Sequence, residues 1–239
     1  MIFQKCKYGK LLESNIDKSL YREFKDKNET REWGKNIYSS WSNEYKRVMG
    51  IVGHYKGDTS NSLFNSPIEF YCGHSHLHIN NYMRGIGPDH NGIYRELSDI
   101  IKILLISAPR IPENIVLYRV VCDDFINEMI KLNKETNNTP VCEKGFISTS
   151  LLTDIVDLDE AYNNYDNLLK IYVDKGTVGL YVNCITNRAE EEILLMSNGY
   201  FRMIEYPYRD EETNKMIYEC KLLTPDITMY DMIYTNNQK

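Results

Sequence analysis

The 239-residue chain lacks any long apolar run, and that absence excludes a helical membrane protein. A membrane helix needs about 18 uncharged apolar residues, whereas the longest apolar run, Ile100 to Ala108, is broken by Lys102. The first ten residues carry Lys5, Lys7 and Lys10 and lack the apolar core of a signal peptide. The expectation is a soluble chain with no export signal of its own. Secretion by another route, or removal of a leader, stays open. Cysteine is sparse and scattered: Cys6, Cys72, Cys122, Cys142, Cys184 and Cys220 form no CxxC pair. That removes the signature of a zinc ribbon or a thioredoxin-like redox site, and the six read as free thiols. Positive charge is also short. With 28 basic against 34 acidic residues, a formal charge of -6 and no basic block, nucleic acid is not an expected partner.

What is present suits a folded protein. Hydrophobic residues make up 42% and charged residues 26%, which argues against intrinsic disorder. No repeat, linker or composition break divides the chain, so a single domain over 1–239 is expected. The first 110 residues have a helical pattern. Leu20, Phe24, Trp33, Ile37, Trp41 and Tyr45 recur at three- or four-residue steps through much of Ile16 to Met49. Further helices are expected over Ile68 to Arg84, with a break near Gly73, and over Tyr94 to Ser107, before Pro109 and Pro112. From about 111 to 225 the signals are strand-like: Ile115–Val121, Gly145–Thr149, Leu168–Val173, Gly179–Cys184, Glu191–Met196, Tyr200–Tyr206 and Met216–Leu222. Asp154 to Asn167 reads as a loop plus a short helix, and Arg209 to Asn214 as a hairpin loop. Helices first and a largely antiparallel β core after them make an α+β fold.

Three features of the β half carry candidate chemistry. Leu117-Tyr118-Arg119-Val120 embeds an arginine in an apolar strand. Gly145-Phe146-Ile147-Ser148-Thr149-Ser150 ends a strand in three hydroxyls. Glu190-Glu191-Glu192-Ile193-Leu194-Leu195 runs three acids into a strand. Side chains alternate on a strand, so Glu190 and Glu192 share a face, roughly 7 Å apart, while Glu191 points away. Like charges at that range tend to raise one pKa, which suits acid–base work. Each feature also has a plain reading. Acids before a strand keep a loop soluble, an arginine in a strand snorkels or pairs, and hydroxyls at a strand end bond the local backbone. The order of the three, with their contexts, is what carries information.

In that order the chain resembles the arginine–serine–glutamate class of bacterial ADP-ribosyltransferase toxins. The class has an aromatic-Arg strand, a Phe-x-Ser-Thr-Ser strand and Glu-x-Glu leading into a strand. Two flanking stretches match as well: Ile79-Asn80-Asn81-Tyr82-Met83-Arg84, like the class's Ile-Asn-x-x-Leu-Arg helix, and Lys175-Gly176-Thr177-Val178-Gly179-Leu180-Tyr181. The resemblance covers about residues 75 to 223. It implies a mostly antiparallel β core of two packed sheets with N-terminal helices. It also implies transfer of ADP-ribose from NAD to an arginine of a host protein, by a secreted or injected effector acting in the host cytosol. NAD is then a co-substrate, and no metal is expected. Actin is the leading target by resemblance, with small GTPases behind it.

The resemblance implies roles for particular residues. Glu192 stabilises the positive charge that develops as the nicotinamide bond breaks, as a carboxylate does in glycoside hydrolysis. Glu190 holds or deprotonates the acceptor guanidinium. Relatives that modify asparagine typically have Gln there, so Glu190 points to an arginine acceptor. Ser148 orients Glu192, with Thr149 and Ser150 shaping the strand and pocket. Arg119 binds the pyrophosphate, assisted by Arg84 and Asn80, and Tyr118 lines the pocket. Two departures stand out. No arginine lies between Arg119 and Arg188, where the class often has one on NAD, so Lys170 or Tyr162 is a candidate substitute. The recognition loop, Asn183 to Ala189, lacks the aromatic residue that many relatives present to their target.

Other readings stay open. Cys72-Gly73-His74-Ser75-His76-Leu77-His78 concentrates three of the five histidines, which would share a face on a strand but not on a helix. An NAD glycohydrolase uses the same chemistry with water as acceptor, though it has no need of Glu190. A non-catalytic binding domain has no chemical reason to keep Arg119, Ser148, Glu190 and Glu192 together.

Overall fold

A computed structural model describes residues 2–11, 16–56, 66–135, 139–158 and 164–225. The side chains of residues 2, 51–56 and 74 lie outside that description, as does Tyr162. The helical half opens with α1 (Ile2–Tyr8) and a 3-10 turn at Lys18–Leu20. Then comes α2 (Lys27–Lys56). The helix expected from Ile16 therefore starts eleven residues later. Asp26 sets that start: its Oδ1 accepts from the backbone N–H groups of Asn28 (2.8 Å) and Glu29 (3.0 Å). Next come α3 (Pro67–Phe70), with proline at its first position, a π-turn over Tyr71–Ser75, and α4 (His76–Arg84). Gly73 sits in the π-turn with ψ of -142°, so the expected break is there. α4 ends on Gly85 at φ 77°, a left-handed cap that favours glycine. α5 (Ile93–Ser107) buries Leu97, Ile101 and Leu105 on one face before Pro109.

The β half consists of β1 (Ile115–Val121), β2 (Val141–Glu143), β3 (Ile147–Ser150), β4 (Asn167–Val173), β5 (Gly179–Tyr181), β6 (Glu192–Leu195), β7 (Gly199–Met203), β8 (Tyr208–Arg209) and β9 (Met216–Leu223). Their order is β2-β7-β9-β4-β1-β3-β6-β5, with β8 on β9. All pairings are antiparallel except β4 with β9. Two sheets were expected, and the hydrogen bonds run through both as one path. The join between β1 and β3 is narrow, a single pairing of Tyr118 with Ser150. The chain folds back there, since a Cβ on Gly199 of β7 would stand 2.6 Å from Ile147 Cδ1 of β3.

Three differences from the sequence reading have clear causes. A helix, α6 (Asp123–Glu135), interrupts the strands. Its apolar positions Phe125, Ile126, Met129, Ile130 and Leu132 fall at helical spacing and pack on the core, a period that a reading of this half as strands passes over. The short edge strand β2 pairs only with β7 and has no alternation long enough to read. The strand expected over Gly179–Cys184 turns into a 3-10 helix at Val182–Cys184. A four-residue helix, α7 (Ile155–Leu158), stands in the stretch expected to hold one.

β1 sorts its residues by alternation. Ile115 and Leu117 pack into the core shared with the helices, and Val116 and Tyr118 into a smaller cluster on the other face. One close contact ties α2 to the β half: a Cβ on Gly34 would stand 2.1 Å from Cδ1 of the buried Tyr181 ring. The Tyr181 hydroxyl is hydrogen-bonded to Glu191, so the ring is held at both ends. Gly34→Ala gains about 1 kcal/mol of helix propensity but loses about 1–3 kcal/mol to overpacking. The substitution should therefore lower the melting temperature, and an equal or higher value in a thermal melt would show that the ring yields.

Candidate active site

The register of β3 against β6 builds the site. Ser150 pairs with Glu192 and Ser148 with Leu194. On the pleated surface this lets the Ser148 side chain reach along β6, where its hydroxyl donates to Glu192 Oε1 at 2.6 Å. Glu192 is 2% exposed. Its other oxygen, Oε2, accepts no hydrogen bond, and only Arg188 Nε faces it, at 3.2 Å. Burial raises the pKa of Glu192, with Glu190 adding to the rise; Ser148 and the charges of Arg188 and Arg119 oppose it. A buried carboxylate oxygen held by an ion pair and no hydrogen bond is uncommon.

Glu190 lies in the bend before β6, and its Oε1 stands 3.4 Å from Arg188 Nη2. Both outer acids of the triplet thus meet one guanidinium. The Glu191 side chain goes elsewhere. It is fully buried, taking Arg31 Nε of α2 at 2.9 Å and the Tyr181 hydroxyl.

The arginines of β1 and α4 meet at the other side of the same pocket. Arg84 forms a two-point contact with Glu143, Nε to Oε1 and Nη2 to Oε2, both 2.9 Å. Arg119 Nη2 stands 3.5 Å from the same carboxylate, and its Nη1 donates to the Ser148 carbonyl at 3.3 Å. Burial alone would raise the pKa of Glu143, but the hydrogen bonds of Arg84 and the charge of Arg119 hold it below the ordinary carboxylate value. Ser148, Glu192, Arg119, Arg84 and Arg188 line one cavity of about 210 Å³. Tyr71 and Cys72 line it too, and burial pushes both their pKa values up.

The remaining candidates do other things. Asn80 lines the pocket, yet its amide is taken: Oδ1 accepts from Phe146 N (2.9 Å), and Nδ2 donates to Tyr71 OH (3.0 Å) and Phe146 O (3.2 Å). It anchors the approach to β3. Thr149 Oγ1 donates to the Ile193 carbonyl at 2.8 Å, and Ser150 Oγ accepts from Leu152 N at 3.1 Å. Both are fully buried, so they hold the strand rather than face the pocket. Tyr118 is a correction. Adjacent strand residues face opposite ways, and its hydroxyl donates to Glu23 on the face away from Arg119. Lys170 also binds Glu23, at 2.8 Å, and lies on that far face with it. Among the described residues no three metal-type donors converge. His76 Nδ1 donates to Gly73 O at 2.7 Å, and His78 stacks on Tyr94.

Residues 30–224 match the ADP-ribosyltransferase exoenzyme family model. The chain belongs to that family. It is an ADP-ribosyltransferase. Among solved structures it is similar to Plx2a, an ADP-ribosyltransferase toxin from Paenibacillus larvae, at 19% identity and TM-score 0.61 over 82% of this chain and 96% of that one. It is also similar to BECa, an ADP-ribosylating toxin of C. perfringens solved with NADH, at 22% identity and TM-score 0.64, over 85% of this chain and 50% of that one. A third is C3stau2 from S. aureus, solved with NAD, at 17% identity and TM-score 0.60 over 86% and 99%. At such identities the likeness is one of fold. No curated protein matches the sequence. No helix of the described residues is long and apolar enough to cross a membrane.

Sequence reasoning missed Glu143 and Arg188. Arg188 stands two and four residues before the acids it meets, a period-2 spacing that was there to be read. Glu143 had only its place two residues before Gly145, whose N–H it accepts at 2.8 Å. The Glu143 cluster predicts a pH effect. The folded pKa lies below the unfolded one, so the cluster's stabilisation is complete above the unfolded value and lost as pH falls through the folded one. Glu143→Gln should cost about 1–3 kcal/mol in urea melts at neutral pH. The gap to the wild type should narrow below about pH 4. A variant as stable as the wild type at neutral pH would contradict this.

Proposed function

We propose that the chain transfers ADP-ribose from NAD to an arginine of a host protein, as a single-domain toxin or effector acting in the host cytosol. One observation carries the acceptor assignment: Glu190 and Glu192, both buried, converge on a guanidinium, that of Arg188. The position that an acceptor arginine needs is one where this chain already holds such a group. Actin leads among targets by family resemblance, with small GTPases behind it.

Glu192 is the catalytic carboxylate. Ser148 fixes Oε1, and Oε2 is held only by the Arg188 ion pair among the described contacts. Once Arg188 has moved, Oε2 is the oxygen to accept from a ribose hydroxyl and to face the charge that develops as the nicotinamide bond breaks. Burial strengthens that electrostatic effect and raises the pKa. Glu190 holds the acceptor guanidinium and takes its proton. Arg119, with Arg84, offers a cationic pair to the pyrophosphate, and Glu143 orients both. Asn80, Thr149 and Ser150 hold β3 in register and so act through Ser148.

Incubation with labelled NAD and a eukaryotic lysate should give a labelled protein band resistant to conditions that cleave esters. Glu192→Gln should lower both transfer and nicotinamide release about a hundred- to a thousandfold. Glu190→Gln should abolish the band and leave release of nicotinamide to water. Nicotinamide release by the wild type with no labelled band would favour the glycohydrolase instead. Glu192 must be ionised to act, and its pKa is raised, so the rate of release should fall on the acid side with a midpoint above the ~4.3 of an ordinary glutamate. A midpoint at or below that value would remove Glu192 from the role.

A further inference from the structure

We propose that Arg188 is itself an ADP-ribose acceptor, modified by the active site of its own chain. The inference rests on the arginine-acceptor reading above and adds a modification site within the enzyme. Arg188 lies between the Val182–Cys184 turn and β6. Its Nη2 stands 3.4 Å from Glu190 Oε1, its Nε 3.2 Å from Glu192 Oε2, and its Nη1 donates to the Cys72 carbonyl. The guanidinium is therefore delivered to the two acids that the reaction uses. Arg84 and Arg119 line the same pocket but pair with Glu143.

The backbone that carries Arg188 is pinned. Asn183 Nδ2 donates to the carbonyls of Glu190 (2.8 Å) and Arg188 (3.3 Å), and Lys46 Nζ of α2 donates to the Cys184 carbonyl at 2.9 Å. The side chain keeps 29% of its surface exposed, so its tip can leave Glu192 while the loop stays in place. A tethered acceptor of this kind needs no encounter with a second molecule, and its effective concentration exceeds that of any free one. The two acids divide once the guanidinium leaves Glu192: Glu192 turns to the ribose, and Glu190 keeps Nη2.

The step balances without a further reactant. The bond between the ribose C1′ and the nicotinamide nitrogen breaks, and its electron pair leaves with neutral nicotinamide. Nη2 of Arg188 forms the new bond to C1′. The guanidinium proton passes to Glu190 and from there to water, and the substituted guanidinium keeps its charge.

The test uses the purified full chain with labelled NAD and no other protein, followed by peptide mapping by mass. A parallel reaction contains agmatine as a free guanidino acceptor. A third contains an equal amount of isotopically heavy Glu192→Gln chain, inactive but with Arg188 intact. The expected result is one ADP-ribose on the Arg188 peptide of the wild type, agmatine modified in its own tube, and no label on the heavy chain. Arg188→Lys should lose the label from that peptide. Modified agmatine with an unmodified Arg188 would overturn the proposal, as would equal labelling of the heavy chain, which means transfer between molecules. If neither agmatine nor the chain accepts ADP-ribose, the arginine-acceptor reading falls and takes this inference with it.

Discussion

Three consecutive carboxylates, Glu190, Glu191 and Glu192, are buried at 8%, 0% and 2% exposure, and most of the architecture answers that constraint. A buried carboxylate without partners costs several kcal/mol or else takes up a proton. Each of the three draws partners from a different part of the fold. Glu191 takes Arg31 from α2 and Tyr181 from β5, which joins the helical half to the sheet. Glu192 takes Ser148 from β3, which requires the β3–β6 register. Glu190 and Glu192 share Arg188 from the preceding loop. The middle acid is fully satisfied and structural. The outer two share Arg188 at 3.4 and 3.2 Å, and Oε2 of Glu192 makes no hydrogen bond. Adjacent residues thus face opposite ways: Glu191 points into the helix–sheet contact and Glu192 into the pocket.

Much of this was legible in the sequence because it depends on local pattern. β1, β4 and β9 are long and rich in apolar and aromatic residues, and the structure places them where the residues indicated. α4 and α5 were legible from their period and from the Gly85 and Pro109 that follow them. What escaped depends on partners far along the chain. β2 is defined by β7 rather than by its own three residues, whereas α6 carries a helical period that was there to be read. Glu143 has no local mark as a partner of Arg84, 59 residues away. Tyr118 was assigned to the pocket because it adjoins Arg119 in a motif, though adjacency on a strand means opposite faces. The same rule that separated Glu191 from its neighbours separates these two.

Three arginines, 84, 119 and 188, pair with three glutamates, 143, 190 and 192, and the arginines line the pocket with Glu192. An anionic ligand entering the pocket would compete with contacts already made, and these differ in geometry. Arg84 and Glu143 meet at two points of 2.9 Å, and Glu143 is also held by the Gly145 N–H. That unit is rigid and orients rather than moves. Arg119 reaches Glu143 only at 3.5 Å, so it can turn a donor toward a phosphate while Arg84 keeps the acid neutralised. Arg188 meets its acids at 3.2 and 3.4 Å and the Cys72 carbonyl through Nη1, from a side chain that is partly exposed. With Arg188 inside, the cavity is about 210 Å³, below the roughly 300–1,000 Å³ usual for ligand sites. Displacement of this one side chain would remove the ion pair from Oε2 of Glu192 and widen the cavity beside it.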